Sequence, residues 1–205
     1  MMANIVITGA SSGIGFETVL DLTANKDNHV IALARSADKL RRLHQIATDL
    51  NFDGGKLYPA QFDIIYDNYE DSLIPFIQSK FDKVDILINN AGVLINKPFL
   101  ETSTEEFVSS LQSNFLGHVN MIKNIVPLMK EGGHIVNIGS MGGVQGTLKF
   151  PGLSAYSASK GALAILTEVL AEELKDKNIK VNCLALGSSQ TEMFEEAFPN
   201  AHAGT

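Results

Sequence analysis

The chain has 205 residues and a mass of 22.2 kDa, which suits one domain with a sizeable core over residues 1–205. Its 45% hydrophobic and 19% charged content are globular values that exclude a disordered chain. A net charge of −7 and a pI near 5.2 argue against nucleic acid or an anionic membrane as partner.

The run Ala3–Thr8 is short and β-branched, and it passes directly into a glycine-rich turn and a helical stretch, GASSGIGFETVLDLTA. Strand, glycine turn and helix open a βαβ unit. The apolar runs 29–34, 56–60, 84–88, 134–138 and 179–184 read as five further strands. Helical patterns fill 36–50, 66–80, 102–130, 154–175 and 192–198, with Pro75 starting or kinking a piece of the second. The 102–130 helix opens on a capping box, Ser103 with Glu106, and carries a stripe of Val108, Leu111, Phe115, Val119, Ile122 and Val126. Phe107, Leu116 and Ile125 fall off that stripe, so cover on two sides is expected. Apolar strands alternating with helices predict a Rossmann-type, doubly wound α/β fold. Its parallel sheet would have about six strands in the order 3-2-1-4-5-6, with helices on both faces.

No apolar run reaches the ~18 residues that span a bilayer, and no charged leader precedes the first strand. The single cysteine, Cys183, lies in an apolar run without a neighbouring histidine and reads as a buried, inert thiol. A soluble, cytoplasmic protein without a metal site is the expectation.

In such a sheet, ligands sit beyond the carboxyl ends of the strands. Polar or glycine-rich clusters fall at four of those ends: 8–15, 34–36, 89–92 and 139–143. In Thr8-Gly-Ala-Ser-Ser-Gly-Ile-Gly15 the glycines let a pyrophosphate approach backbone N–H groups at a helix N-terminus. After the second strand, an acidic residue would hold a ribose 2′-hydroxyl. Here Ala34 stands there, followed by Arg35 and Ser36, which suits a 2′-phosphate and favours NADP(H) over NAD(H). Tyr156 and Lys160 are four apart on one helical face. An ammonium there favours phenolate, lowering a pKa that starts near ~10 and tuning the tyrosine for proton transfer.

These motifs together resemble the short-chain dehydrogenase/reductase family from Met2 to about Phe198. The likeness rests on TGASSGIG at 8–15, Asp63 after the third strand, NNAG at 89–92, Asn114, Ser140, YSASK at 156–160 and LGSSQTEM at 186–193. The resemblance implies Tyr156 as general acid/base and Lys160 as the group that lowers its pKa and holds the nicotinamide ribose. Ser140 would polarise the substrate oxygen, and Asn114 would bind a water continuing a proton relay through Lys160. Thr8, Gly9, Ser11, Ser12, Gly13, Ile14 and Gly15 would cradle the phosphates, with Arg35 and Ser36 at the ribose. Asp63 and Ile64 would meet the adenine, and Asn90, Ala91 and Gly92 the adenosine side. Gly187 and Thr191 would meet the nicotinamide. The implied activity is NADP(H)-dependent interconversion of a small-molecule carbonyl and alcohol. A homodimer through helices 102–130 and 154–175 is also implied.

Three departures accompany the likeness. Ser140 and Tyr156 are sixteen positions apart, three more than is commonest, which places extra residues in the loop 141–150. Leu186 replaces a proline before Gly187. The sequence stops at Thr205, before the family's usual last helix and seventh strand, which reads as a truncated chain with an open sheet edge and an incomplete substrate lid. The alternative function is a non-catalytic NADP(H)-binding sensor.

Overall fold

The computed structural model describes residues 2–50, 53–130, 132–200 and 202 of the chain. Six parallel strands form one sheet in the order β3-β2-β1-β4-β5-β6. They are β1 (Ala3–Thr8), β2 (Asn28–Ala34), β3 (Lys56–Gln61), β4 (Ile86–Asn89), β5 (His134–Ser140) and β6 (Lys180–Leu186). The helices are α1 (Gly13–Ala24), α2 (Ala37–Leu50), α3 (Ile74–Lys80), α4 (Thr104–Leu111), α5 (Gly117–Ile125), α6 (Ser154–Glu173) and α7 (Glu192–Ala197).

Side chains alternate across a strand, so the apolar runs of β1 and β2 divide between two cores. Ile5, Ile7, Val30 and Ala32 pack with Val19, Leu40 and Leu43 beneath α1 and α2. Val6, Ile31 and Leu33 face the other way, onto Ile77, Met121, Ile125 and Ile135. The predicted sheet order and two-sided helix cover hold.

Several boundaries move for local reasons. Strand β4 starts at Ile86, not Val84, because the Val84 N–H is taken by the Leu128 carbonyl outside the sheet. Strands β5 and β6 run to Ser140 and Leu186, paired in register from His134 opposite Lys180. Strand β3 is half-exposed and carries Pro59; it pairs only with β2, and at a sheet edge a missing N–H is tolerated. The helical stretch expected from Tyr66 begins at Tyr69, in a wide turn capped by the Asn68 side chain, which accepts from the Asp71 N–H at 3.0 Å. Pro75 follows directly on that turn, and α3 continues through it from Ile74 to Lys80.

The largest departure is in the predicted 102–130 helix. Its capping box forms as read, with the Ser103 N–H donating to Glu106 Oε2 at 2.7 Å and the Glu106 N–H to Ser103 Oγ at 3.2 Å. Between α4 and α5, however, Gln112–Leu116 forms a π-helical turn, and Val126–Leu128 closes the helix as a 3₁₀ turn. The extra residue in such a turn rotates all that follows by about 100°. The expected stripe fails on both sides of the turn: Val108, ahead of it, is 46% exposed, and the off-stripe Ile125, beyond it, is 0% exposed. The buried face reads Ser110, Asn114, Gly117, His118, Met121, Ile122 and Ile125.

A buried polar ladder fixes α6 on the sheet. Asn89 Nδ2 donates to Asn137 Oδ1 at 2.9 Å, Asn137 Nδ2 to Thr167 Oγ1 at 2.9 Å, and Thr167 Oγ1 to the Leu163 carbonyl at 2.8 Å. Such pairs are favourable only in one alignment, since a slipped helix would strand buried donors. That alignment brings the first turns of α6 to the carboxyl ends of β4 and β5.

Candidate active site

A cavity of about 910 Å³ opens beyond the carboxyl ends of the strands. Its floor begins at the turn after β1. Gly9 has a φ of +65° and lies so close to the β4 turn that a Cβ would come within 2.6 Å of Ala91 Cα. Thr8 Oγ1 accepts from the Asn90 and Ala91 N–H groups, both at 3.0 Å, and Asn90 Nδ2 donates to the Gly9 carbonyl at 3.0 Å. Ser11, Ser12, Gly13 and Ile14 line the cavity. Thr8 and Gly15 do not; they brace the turn from behind. The Ser12 side chain makes no capping hydrogen bond, so the first N–H groups of α1 have no side-chain cap from that residue.

Arg35 and Ser36, at the end of β2, line the next stretch with Lys39, which the sequence reading missed. No spacing signal marked it, since Lys39 lies in the first turn of α2 while Arg35 precedes that helix. Asp63, Ile64, Asn90, Ala91, Gly92, Gly187 and Thr191 also line the cavity. Asp63 Oδ1 accepts from the Ile65 N–H at 2.9 Å, which fixes its carboxylate. Thr191 Oγ1 caps α7, accepting from the Phe194 N–H at 3.2 Å.

Ser140, Tyr156 and Lys160 meet at the end of β5 and all line the cavity. Ser140 Oγ accepts from the Gly142 N–H at 3.1 Å, and the Tyr156 phenol is near it. The long Ser140–Tyr156 spacing does not displace the serine. Residues Met141–Gly143 make one tight turn, and Gly143 packs so closely on α6 that a Cβ would meet the Lys160 carbonyl carbon at 2.6 Å. The added length goes outward into 144–152, where Leu148 is 77% exposed and Gly152 takes a φ of +88°.

Lys160 is 3% exposed and donates from Nζ to the Ile138 carbonyl at 2.7 Å. Burial lowers its ammonium to about 8 from the ordinary 10.5. The expected effect on Tyr156 is reversed. Burial pushes the phenol above its ordinary value, and the Ser140 hydrogen bond opposes that only in part. Lys160 Nζ sits 5.9 Å from the centre of the Tyr156 ring, over the ring itself and tied to the Ile138 carbonyl.

Asn114 stands behind the cavity wall, 0% exposed, instead of on it. Its Oδ1 accepts from the Val93 N–H at 2.8 Å; its Nδ2 donates to the Val93 carbonyl at 2.9 Å, Ser159 Oγ at 2.9 Å and Ser110 Oγ at 3.2 Å. Both ends of the amide are engaged, so its side chain ties α4, α6 and the loop after β4 together instead of presenting itself to a water. His118, also unforeseen, is fully buried one turn further on. Neither ring nitrogen makes a hydrogen bond of regular geometry, although the Ala91 backbone is near. Burial, with the Lys160 charge second, lowers the imidazole to about 3. Cys183 is half-buried, less enclosed than expected, and burial raises its thiol.

Among the described residues no helix is long and apolar enough to cross a membrane, and no three His, Cys, Asp or Glu residues are grouped to hold a metal. The family model described as short chain dehydrogenase matches residues 3–202. A cyclopentanol dehydrogenase of Comamonas is 33% identical over 94% of this chain and 75% of its own. Oxidoreductase BOA17 of Botryotinia fuckeliana is 30% identical over 91% of this chain, which spans 65% of that relative's length. The structure of a short chain dehydrogenase from Shigella flexneri complexed with NADP superposes with a TM-score of 0.86 at 28% identity, covering 98% of this chain and 83% of that one. With the sheet order, the cradle after β1 and the matched model in agreement, the chain belongs to the short-chain dehydrogenase/reductase family.

Proposed function

We propose that this protein interconverts a small-molecule carbonyl and alcohol with NADP(H), using Tyr156 as general acid/base. One observation carries the reading. The Ser140 and Tyr156 hydroxyls stand together on the wall of one cavity, close enough for the serine to pull the phenol pKa down, with the Lys160 ammonium beside the ring.

The residues present fit a dinucleotide. Ser11, Ser12, Gly13 and the start of α1 offer hydroxyls and helix N–H groups to a pyrophosphate. Arg35, Ser36 and Lys39 offer two cations and a hydroxyl to a 2′-phosphate, with no carboxylate at Ala34 to repel it. Asp63 and Ile64 would take the adenine, Asn90, Ala91 and Gly92 the adenosine side, and Gly187 and Thr191 the nicotinamide. Tyr156 and Lys160 would hold the nicotinamide ribose. NADP in the related Shigella structure supports the same choice. When bound, the dinucleotide supplies or accepts the hydride.

The chain's own part is orientation and proton transfer. Ser140 donates to the substrate oxygen and Tyr156 gives it a proton in reduction. A phenol held above its ordinary pKa is protonated at neutral pH, the form reduction requires. Lys160, at about 8, keeps most of its charge at pH 7 and favours the phenolate left behind. Asn114 acts as a positioning residue through Ser159 and Val93.

A homodimer through α4 and α6 belongs to the same reading. The two helices pack together, leaving Val108, Leu116, Ile165 and Val169 exposed by 46–61%. Apolar surface of that kind favours a second copy.

Replacing Tyr156 with Phe tests the catalytic reading. Carbonyl reduction should fall at least ~10³-fold, while NADPH binding by fluorescence stays within about threefold. Turnover equal to the parent protein would remove Tyr156 from its role.

A further inference from the structure

On top of that reading, we infer that the substrate is an uncharged carbonyl compound with an extended apolar body, and that acidic or phosphorylated carbonyl compounds are rejected. The cavity is divided by charge. Arg35, Lys39 and Asp63 stand at the ends of β2 and β3. Ser140 and Tyr156 stand at β5, which is three strands from β2 in the sheet order. At the spacing of neighbouring strands this separates the charged end from the Ser140 hydroxyl by about 14 Å.

Around Ser140 and Tyr156 the wall is Leu94, Met141, Leu148, Phe150, Met193 and Phe194. Charged residues on the same segments turn elsewhere. Lys97 pairs with Glu106 at 3.1 Å, Lys149 donates to the Val144 carbonyl, and Glu192 pairs with Lys39 at 2.7 Å. Neither Lys97, Lys149 nor any of the α7 glutamates lines the cavity; the lining His202 is exposed. Thr147, a polar member of the wall, donates to the Met141 carbonyl at 2.5 Å.

Three separate segments form this wall, and hydrogen bonds fasten them to one another. Asn96 Nδ2 donates to the Ala197 carbonyl at 2.7 Å, joining the loop after β4 to α7. The Lys97 N–H donates to the Gly152 carbonyl at 2.9 Å, joining it to the loop after β5. The apolar faces of Met141 and Phe150 nevertheless remain 44% and 58% exposed. A chamber held together at its rim with such faces turned to solvent gains by covering them with hydrocarbon. A carboxylate there would lose hydration, and the lining cation at that end, Lys160, is 3% exposed and already donates to the Ile138 carbonyl.

The test compares butanal, hexanal, octanal and 8-oxooctanoate with NADPH and the whole chain. Specificity, kcat/KM, should rise about fourfold per added methylene while the wall is being filled. Octanal should exceed 8-oxooctanoate at least tenfold. Calorimetry of 1-octanol against 8-hydroxyoctanoate on the NADP⁺-loaded protein should give the same order of preference. Octanol binding at least tenfold more tightly, with no aldehyde reduced, would uphold the substrate class and sink the oxidoreductase reading. Equal or better handling of the carboxylates in either assay would overturn the inference, and so would no binding of either alcohol. Phe150→Lys, at an exposed site, should raise the ratio of 8-oxooctanoate to octanal at least tenfold. An unchanged ratio would show that this wall does not select.

Discussion

Lys39 Nζ lies 2.7 Å from Glu192 Oε2, joining the first turn of α2 to the first turn of α7 across the mouth of the cavity. The lysine that would help hold a 2′-phosphate is thus already held by a carboxylate. Both side chains are at least half-exposed, so the pair is weak and salt-sensitive. Its partner lowers the Glu192 carboxyl below the ordinary range.

Competition for Lys39 gives a first prediction. Glu192→Gln should tighten NADPH by about two- to fivefold, with NADH unchanged. Arg35→Ala should weaken NADPH by about tenfold to thirtyfold and leave NADH nearly as before, since a charge-assisted contact is lost only with the phosphate. Equilibrium fluorescence titrations of both nucleotides read the difference. Equal losses for NADH and NADPH would remove Arg35 from the 2′-phosphate site.

His118 should make the fold acid-sensitive. The imidazole sits at about 3 in the native state against an ordinary 6.5, so between these values the unfolded chain binds a proton that the native one does not. Stability from this group is present above pH 6.5 and is lost as the pH falls toward 3, a difference on the order of 4 kcal/mol. His118→Leu should therefore show a smaller drop in urea midpoint between pH 7 and pH 4 than the parent protein. Parallel profiles would mean that carboxylates alone govern the acid transition.

Asn114 makes one bond at Oδ1 and three at Nδ2, all to groups that are buried or half-buried. Asn114→Ala leaves the Val93 N–H and carbonyl without those partners, and should cost about 2–4 kcal/mol. Thermal unfolding reads the loss. Because the same amide holds Ser159, whose Oγ donates to the Tyr156 carbonyl at 2.7 Å, kcat should fall more than NADPH affinity. Loss of affinity alone would assign Asn114 to the nucleotide instead.

Association should fail when the exposed face of α6 is charged. Ile165 is 61% exposed, so Ile165→Glu leaves the fold intact and places a carboxylate on the proposed dimer surface. Light scattering at micromolar concentration should change from dimer to monomer. A parent protein already monomeric under those conditions would dispose of the interface.

The alternation of Ile5, Ile7, Val30 and Ala32 with Val6, Ile31 and Leu33 carried the two-layered sheet, because side-chain direction along a strand is a local property. The capping box at Ser103 and Glu106 was legible for the same reason: both partners lie within one turn. So was the Tyr156–Lys160 pair, since two residues four apart share a helical face wherever the helix goes. These are matters of spacing, and one sequence determines them.

What only the tertiary structure decided is where distant groups meet and how deeply each is buried. The π-helical turn at Gln112–Leu116 rotates α5 relative to α4, and no periodicity count registers one added residue. Lys39 finds Glu192 from 153 positions away. The direction of the Tyr156 pKa turned on how deeply the phenol is buried. Spacing placed Lys160 on its helical face, but only the packed structure set the desolvation that raises the phenol, with Ser140 opposing it in part.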